Sequence, residues 1–263
     1  MHGNIPDTTC VMSLKPNETG GATTDARLAP GVTLFCIPHA GGGASAYRQW
    51  AEAMAPAAAV KVLQLRGRES RFREPPLTEL EDAVADLYQT VLPASAGRFA
   101  FLGHSMGALM ALELSHKLRR EAGRAPVHLF VSACRAPNHP QLAAPCAGLP
   151  QGEFVAEVMR RYGGIPAPIL ADAGFMAAIL PAMRADFGIL ERYRTAERPP
   201  LDCPISVFGG RDDHATPPST LADWRLQTTG PFSLEMLDGG HFYLQDKRRD
   251  VAAKILAALA AAR

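Results

Sequence analysis

The pentapeptide Gly103-His104-Ser105-Met106-Gly107 sets a hydroxyl between two glycines. It follows the apolar run Arg98-Phe99-Ala100-Phe101-Leu102 and precedes a stretch from Ala108 to Glu121 rich in Ala, Leu, Met, Glu and Arg. A serine on so tight a strand-to-helix turn has a cramped backbone, so its neighbours must be small, and its Oγ is thrust away from the sheet. The helix that begins there offers free N–H groups to any negative charge that develops. Ser105 is therefore a candidate nucleophile. Alone it is a weak one at neutral pH, so a base and a group to orient that base must lie elsewhere in the chain.

Of eight histidines, His241 is the best placed, in the loop Asp238-Gly239-Gly240-His241-Phe242 between the last strand and the last helix. His116 falls within a helix, His128 within a strand, His139 among prolines and His2 near the start, all positions that read as structural. His104 adjoins the serine and must point elsewhere, while His39 ends a strand and can shape the site. The segment Gly209-Gly210-Arg211-Asp212-Asp213-His214-Ala215-Thr216-Pro217 offers two carboxylates. Asp213 stands three residues after a glycine and four before a proline, the spacing common in such acid loops; Asp212 does not reach the proline and reads as a capping or loop-fixing residue. The chain order Ser105, Asp213, His241 is that of the α/β-hydrolase fold. A further glycine loop, Pro38-His39-Ala40-Gly41-Gly42-Gly43, can turn backbone N–H groups toward a ligand. The expected oxyanion donors are the amides of Ala40 and Met106. That loop has neither a G-K-[ST] ending nor G-x-G-x-x-G spacing, so it is not a phosphate cradle.

These residues need a scaffold, and the pattern supplies one. Short β-branched and aromatic runs (Val32–Ile37, Val60–Gln64, Arg98–Leu102, Val127–Ser132, Ile205–Phe208 and Phe232–Leu237) alternate with helical stretches. The helical stretches are Ala44–Met54, Leu80–Val91, Ala108–Glu121, Thr220–Gln227 and a last one from about Asp246. Near-continuous apolar strands between helices predict a mostly parallel sheet covered on both faces, with its site beyond the strands' C-terminal ends. Residues 30–140 and 201–263 form this core. Residues 141–200 interrupt it without a strand, and Gly152–Tyr162 and Asp172–Tyr193 read as amphipathic helices. This insertion is expected to lie over the site as a lid, with Phe154, Val158, Phe175, Met176, Ile179 and Leu180 facing the serine; a surface decoration is the alternative.

At 263 residues the chain can bury a core of one α/β domain. A net charge of +1 gives no electrostatic reason to expect nucleic acid or an anionic membrane. No apolar run is expected to span a bilayer, and the polar residues 1–29 read as a disordered leader without a signal-peptide core. Five scattered cysteines without C-x-x-C or metal-ligand spacing point to reduced thiols in a cytoplasm, with no metal and no cofactor.

With these residues assembled, the chain resembles the type II thioesterases, the free-standing editing enzymes that accompany polyketide synthases and non-ribosomal peptide synthetases. The likeness runs from about Pro30 to the C-terminus through Pro38-His39-Ala40-Gly41-Gly42, Gly67-Arg68-Glu69-Ser70-Arg71, Gly103–Gly107, Arg184-Ala185-Asp186-Phe187, Gly210–Asp213 and Gly239–Phe242. Arg66 departs from it, since the family usually has proline there. The resemblance implies a Ser105–His241–Asp213 triad with Ala40 and Met106 as oxyanion donors. It implies as partner an acyl or peptidyl carrier protein bearing acyl-phosphopantetheine, with acyl-coenzyme A as a second substrate and a monomeric state. The reaction implied is hydrolytic release of aberrant or stalled acyl units. An acyltransferase or cyclase using the same triad is the alternative enzyme, and an inert synthase-docking module the alternative of another class.

Overall fold

The computed structural model describes residues 11–13, 31–139 and 144–262. The strands are β1 (Val11–Ser13), β2 (Val32–Ile37), β3 (Ala58–Leu63), β4 (Phe99–His104), β5 (His128–Ser132), β6 (Ile205–Gly210) and β7 (Phe232–Leu237). The helices are α1 (Trp50–Met54), α2 (Leu80–Val91), α3 (Met106–Ala122), α4 (Gln151–Tyr162), α5 (Ala167–Ala171), α6 (Ala173–Arg192), α7 (Pro218–Ala222), α8 (Tyr243–Asp246) and α9 (Arg248–Ala261). The sheet order is β1-β3-β2-β4-β5-β6-β7. Strands β2 to β7 run parallel, and β1 is antiparallel against β3 with Met12 opposite Val62. Most of the expected leader lies outside the described residues, but three of its residues add this edge strand.

Alternation along each strand builds two cores. Phe35, Ile37, Phe101 and Val131 pack with α2 and α3 on one face; Leu34, Cys36, Leu102 and Phe130 pack with α1 and α9 on the other. β4 and β5 are buried at every position, as central parallel strands must be. Helix α2 presents Ala83, Val84, Leu87, Tyr88 and Val91, a spacing that makes one apolar stripe. Helix α3 ends at Gly123, which takes the left-handed conformation of a helix cap at φ 61°.

The insertion carries α4, α5 and α6 and a third apolar cluster of its own, built on Phe154, Val158, Leu180 and Phe187. The Asp172 side chain caps α6 by accepting from the Phe175 amide at 2.9 Å. Helix α6 corrects one sequence expectation: with 20 residues and a mean hydropathy of 1.4 it is long and apolar enough to cross a membrane. Half of that apolar stretch is buried within the protein, which accounts for its composition.

Candidate active site

Ser105 sits between β4 and α3 at φ 54°, ψ −120°, a conformation that residues with a side chain rarely adopt. The crowding that demands glycine on both sides is visible. A Cβ on Gly107 would collide with the Ile37 carbonyl and stand 2.7 Å from that of Pro38; one on Gly103 would collide with Gly107 and lie 2.5 Å from the Ala108 amide nitrogen. Close packing of α3 on the end of β2 thus fixes the turn. The Ser105 amide is used to hold it, donating to the Ser132 carbonyl at 2.8 Å.

Beyond the ends of β6 and β7 two loops meet. His241 Nδ1 and Asp213 Oδ2 are 2.7 Å apart, and the two side chains are 4% and 1% exposed. An ionised carboxylate only accepts, so Nδ1 is the protonated nitrogen and Nε2 the basic one. Asp213 also accepts from the Ala215 amide at 2.9 Å and the Thr216 hydroxyl at 2.6 Å. Burial opposes its ionisation, but the hydrogen bond and charge of His241, with the Thr216 and Ala215 donors, outweigh it and hold the carboxyl below the usual carboxylate range. Asp212 is exposed, and its amide donates to the Gly239 carbonyl at 3.0 Å. Of the two candidate acids, Asp213 is the one brought to His241.

The other histidines near the serine are neutral spacers. His104 is buried, bonds Ser132 Oγ at 2.9 Å and lies 5.4 Å from the His241 ring. Burial, then His241 and His39, press its pKa well below the ordinary value. His39 packs edge-on to Phe242 at 4.8 Å and is pushed down to about 4, first by burial, then by His241 and Arg68. Sequence reasoning gave no role to Tyr162, whose ring lies 4.8 Å from that of His241, nor to Thr216, which anchors the acid. The Thr216-Pro217 step after Asp213 was the available signal for the second; for Tyr162 there was none.

In the glycine loop, the Gly41 amide donates to Asp186 Oδ2 at 2.7 Å, Gly42 to the His39 carbonyl at 2.9 Å, Ala44 to Gln64 Oε1 at 2.8 Å and Ser45 to the Glu69 carboxylate at 3.2 Å. Among the described residues, the Ala40 and Gly43 amides of this loop and the Met106 amide at the start of α3 have no protein partner. Ala40 packs against both the main core and the insertion's cluster.

Ser105 and His241 line two cavities. One, about 650 Å³, is walled by the glycine loop and by Val158, Ile169, Phe175, Ile179, Ala182 and Met183 of the insertion. The other, about 500 Å³, lies toward Arg135, Asn138, His139, Glu191, Arg194 and Thr195. Arg135 donates through Nε to the Ala215 carbonyl at 2.6 Å, while its buried Nη1 has no partner among the described residues. Of the insertion residues expected to face the serine, Val158, Phe175 and Ile179 line the first cavity, with Phe175 48% exposed. Phe154, Met176 and Leu180 instead turn inward and form the insertion's own core, because a helix pair standing off the sheet needs one. Among the described residues no His, Cys, Asp or Glu cluster could hold a metal.

The sequence profile of the thioesterase domain matches residues 32–259. The chain is 41% identical over 218 residues to the gramicidin S biosynthesis protein GrsT of Aneurinibacillus migulanus, covering 83% of this chain and 85% of that one. It is 36% identical over 228 residues to the thioesterase PikA5 of Streptomyces venezuelae, covering 85% and 79%. The solved type II thioesterase BorB from the borrelidin biosynthetic cluster superposes with a TM-score of 0.83 at 32% identity, covering 97% of this chain and all of that one.

Proposed function

The chain belongs to the thioesterase family and is a thioester hydrolase of the type II, editing kind; from that premise we propose that Ser105, His241 and Asp213 perform the reaction, with Ala40 and Met106 as oxyanion donors. Its partners are in general the carrier proteins of a polyketide or non-ribosomal peptide synthase. The observation that carries the residue assignment is the position of Ser105 and His241 at the junction of two unlike cavities, with Asp213 hydrogen-bonded behind the histidine.

In this reading the acyl chain lies in the cavity walled by the insertion, so residues 141–200 act as a lid over a core of residues 30–140 and 201–263. The phosphopantetheine arm occupies the second cavity, where amide and phosphate oxygens meet Arg135 and Arg194. His241 Nε2 takes the Ser105 proton as Oγ attacks the thioester carbonyl, and Asp213 stabilises the imidazolium that forms. The Ala40 and Met106 amides receive the tetrahedral oxyanion. The carbon–sulfur bond breaks readily because a thiol, of pKa about 8.5, is a far better leaving group than an alcohol or amine. The proton held by His241 goes to that sulfur. Water then repeats the sequence on the acyl-serine, giving the free acid. The enzyme acts as a cytoplasmic monomer, and acyl-coenzyme A, carrying the same arm, is a second substrate.

Hydrolysis of an acyl-carrier substrate by Ser105→Ala tests the assignment. Losing one hydroxyl from the half-buried Ser105 removes little packing, so the variant folds while turnover falls by about 10⁴- to 10⁶-fold. Activity within tenfold of the parent sinks Ser105 as nucleophile, and an ester or amide product in place of free acid favours the acyltransferase reading.

A further inference from the structure

We propose that the buried pair Arg68–Asp186 is a positioning device that ties the lid helix α6 to the glycine loop and aims the Ala40 amide at the oxyanion. The inference rests on the reading of Ala40 as an oxyanion donor. Arg68 donates to both oxygens of Asp186, Nη1 to Oδ2 at 2.5 Å and Nη2 to Oδ1 at 2.9 Å, and the side chains are 7% and 2% exposed. The same Asp186 oxygen accepts the Gly41 amide at 2.7 Å, and Arg68 Nη1 reaches the Gly42 carbonyl at 3.3 Å. Three segments far apart in the chain thus converge on one carboxylate.

What that carboxylate holds is a turn. The Gly42 amide donates to the His39 carbonyl, and Gly41 sits at φ +75°, as the third residue of a type II turn does. The His39–Ala40 peptide is planar and trans, so a carbonyl bonded into the turn directs the Ala40 N–H the opposite way, out of it. The central peptide of the turn is Ala40–Gly41, and opening the turn there would release the His39 carbonyl and with it the direction of the Ala40 N–H. The N–H of that peptide is the one that Asp186 grips. With the grip in place that opening would break a charge-assisted hydrogen bond in a buried site, which is costly. Met183 closes the other side: a Cβ on Gly41 would lie 2.5 Å from Met183 Cγ, so the helix packs directly on the glycine. Met183 and Asp186 stand one turn apart on α6, and Met183 also walls the acyl cavity. The wall that touches the acyl chain and the clamp that sets the oxyanion donor are one rigid element.

A pair kept only for stability predicts something different. Replacing a buried ion pair by apolar side chains of similar size is often neutral or stabilising, whereas removing one partner strands the other. Two variants separate the roles: Asp186→Asn, which keeps shape but loses the charge, and the double replacement Arg68→Met with Asp186→Leu, which strands no charge but leaves the Gly41 amide without its acceptor. Circular dichroism and thermal melts establish that each is folded. Steady-state kinetics on an acyl thioester are then compared with the affinity for two probes. One is a trifluoromethyl ketone of the same acyl chain, which adds Ser105 Oγ to form a tetrahedral oxyanion. The other is the matching thioether, which lacks the carbonyl.

Misaiming one donor is expected to lower kcat by about 10- to 100-fold while KM stays within about threefold. Ketone affinity falls by the same factor as kcat/KM, and thioether affinity stays within about threefold. Full kcat in the folded double variant overturns the proposal, as does a kcat loss with unchanged ketone affinity. If the parent itself binds the ketone no better than the thioether, the oxyanion reading fails first and the clamp has nothing to aim.

Discussion

Asp213→Asn is the substitution whose outcome follows most directly from the geometry. Oδ2 of Asp213 faces two groups, His241 Nδ1 at 2.7 Å and Thr216 Oγ1 at 2.6 Å, while Oδ1 takes the Ala215 amide at 2.9 Å. Asparagine replaces one oxygen by an NH₂. Placed at Oδ1, the NH₂ would confront the Ala215 N–H, donor against donor in a buried pocket. Placed at Oδ2, every group is satisfied: the threonine hydroxyl rotates to accept, and so does His241 Nδ1 once it gives up its proton. The stable arrangement is therefore the one that moves the imidazole proton to Nε2, leaving no lone pair to face Ser105. The fold loses little and the base is lost. Such a change costs about 10⁴ in kcat, about 5 kcal/mol in the barrier. The exposed Asp212, whose backbone amide rather than its carboxylate holds the loop, should tolerate Asn within about threefold. Thiol release from an acyl thioester, with both variants normalised by melting temperature and far-UV signal, measures this. Asp213→Asn within tenfold of the parent, or Asp212→Asn as the more damaged of the two, would refute the reasoning.

Two further outcomes come from burial. Gly107→Ala drives a methyl into the Ile37 and Pro38 carbonyls, so it should cost about 1–3 kcal/mol in a urea titration; a midpoint equal to the parent's would mean α3 is free to shift. His128, stacked on Phe130 at 4.1 Å and bonded to Ser206 Oγ at 2.9 Å, is pushed down to about 4 by burial. The unfolded chain, at about 6.5, binds the proton first as pH falls, so stability present above pH 6.5 is lost between there and pH 4. Between pH 7 and pH 5 this side chain alone accounts for a drop of about 2 kcal/mol. His128→Leu should remove that part of the slope, and an unchanged slope would contradict it.

Most strands and the helix Leu80–Val91 were legible in the sequence because buried parallel strands and an apolar helical stripe have unambiguous periods. The stretch Ala44–Met54, a single helix by its sequence pattern, is broken into a 3₁₀ turn at Ala44–Tyr47 and the short α1. Side chains of Gln64 and Glu69 take the Ala44 and Ser45 amides, and no local pattern announces partners that distant. The pairing of Asp213 rather than Asp212 with His241 was legible because spacing within one loop separates the two. The Arg68–Asp186 pair was visible only as two motifs without a role, since residues 118 apart carry no mutual sign in a single sequence. Strand β1 escaped for a different reason: three residues are too few to show alternation.

If Ser105 is the nucleophile as proposed, the two cavities that meet at it divide the catalytic cycle in time as well as in space. After the first chemical step the departing arm empties one side while the acyl group still fills the other. The second step then belongs to whatever enters the vacated side first. A carrier that lingers there shields the acyl-serine, and a carrier that leaves admits water. An alcohol or amine shaped to that cavity would arrive by the same route and leave with the acyl group. Hydrolysis and transfer on this scaffold are thus separated by the contest for one empty compartment during the lifetime of the acyl-enzyme, not by any difference in the groups that do the chemistry.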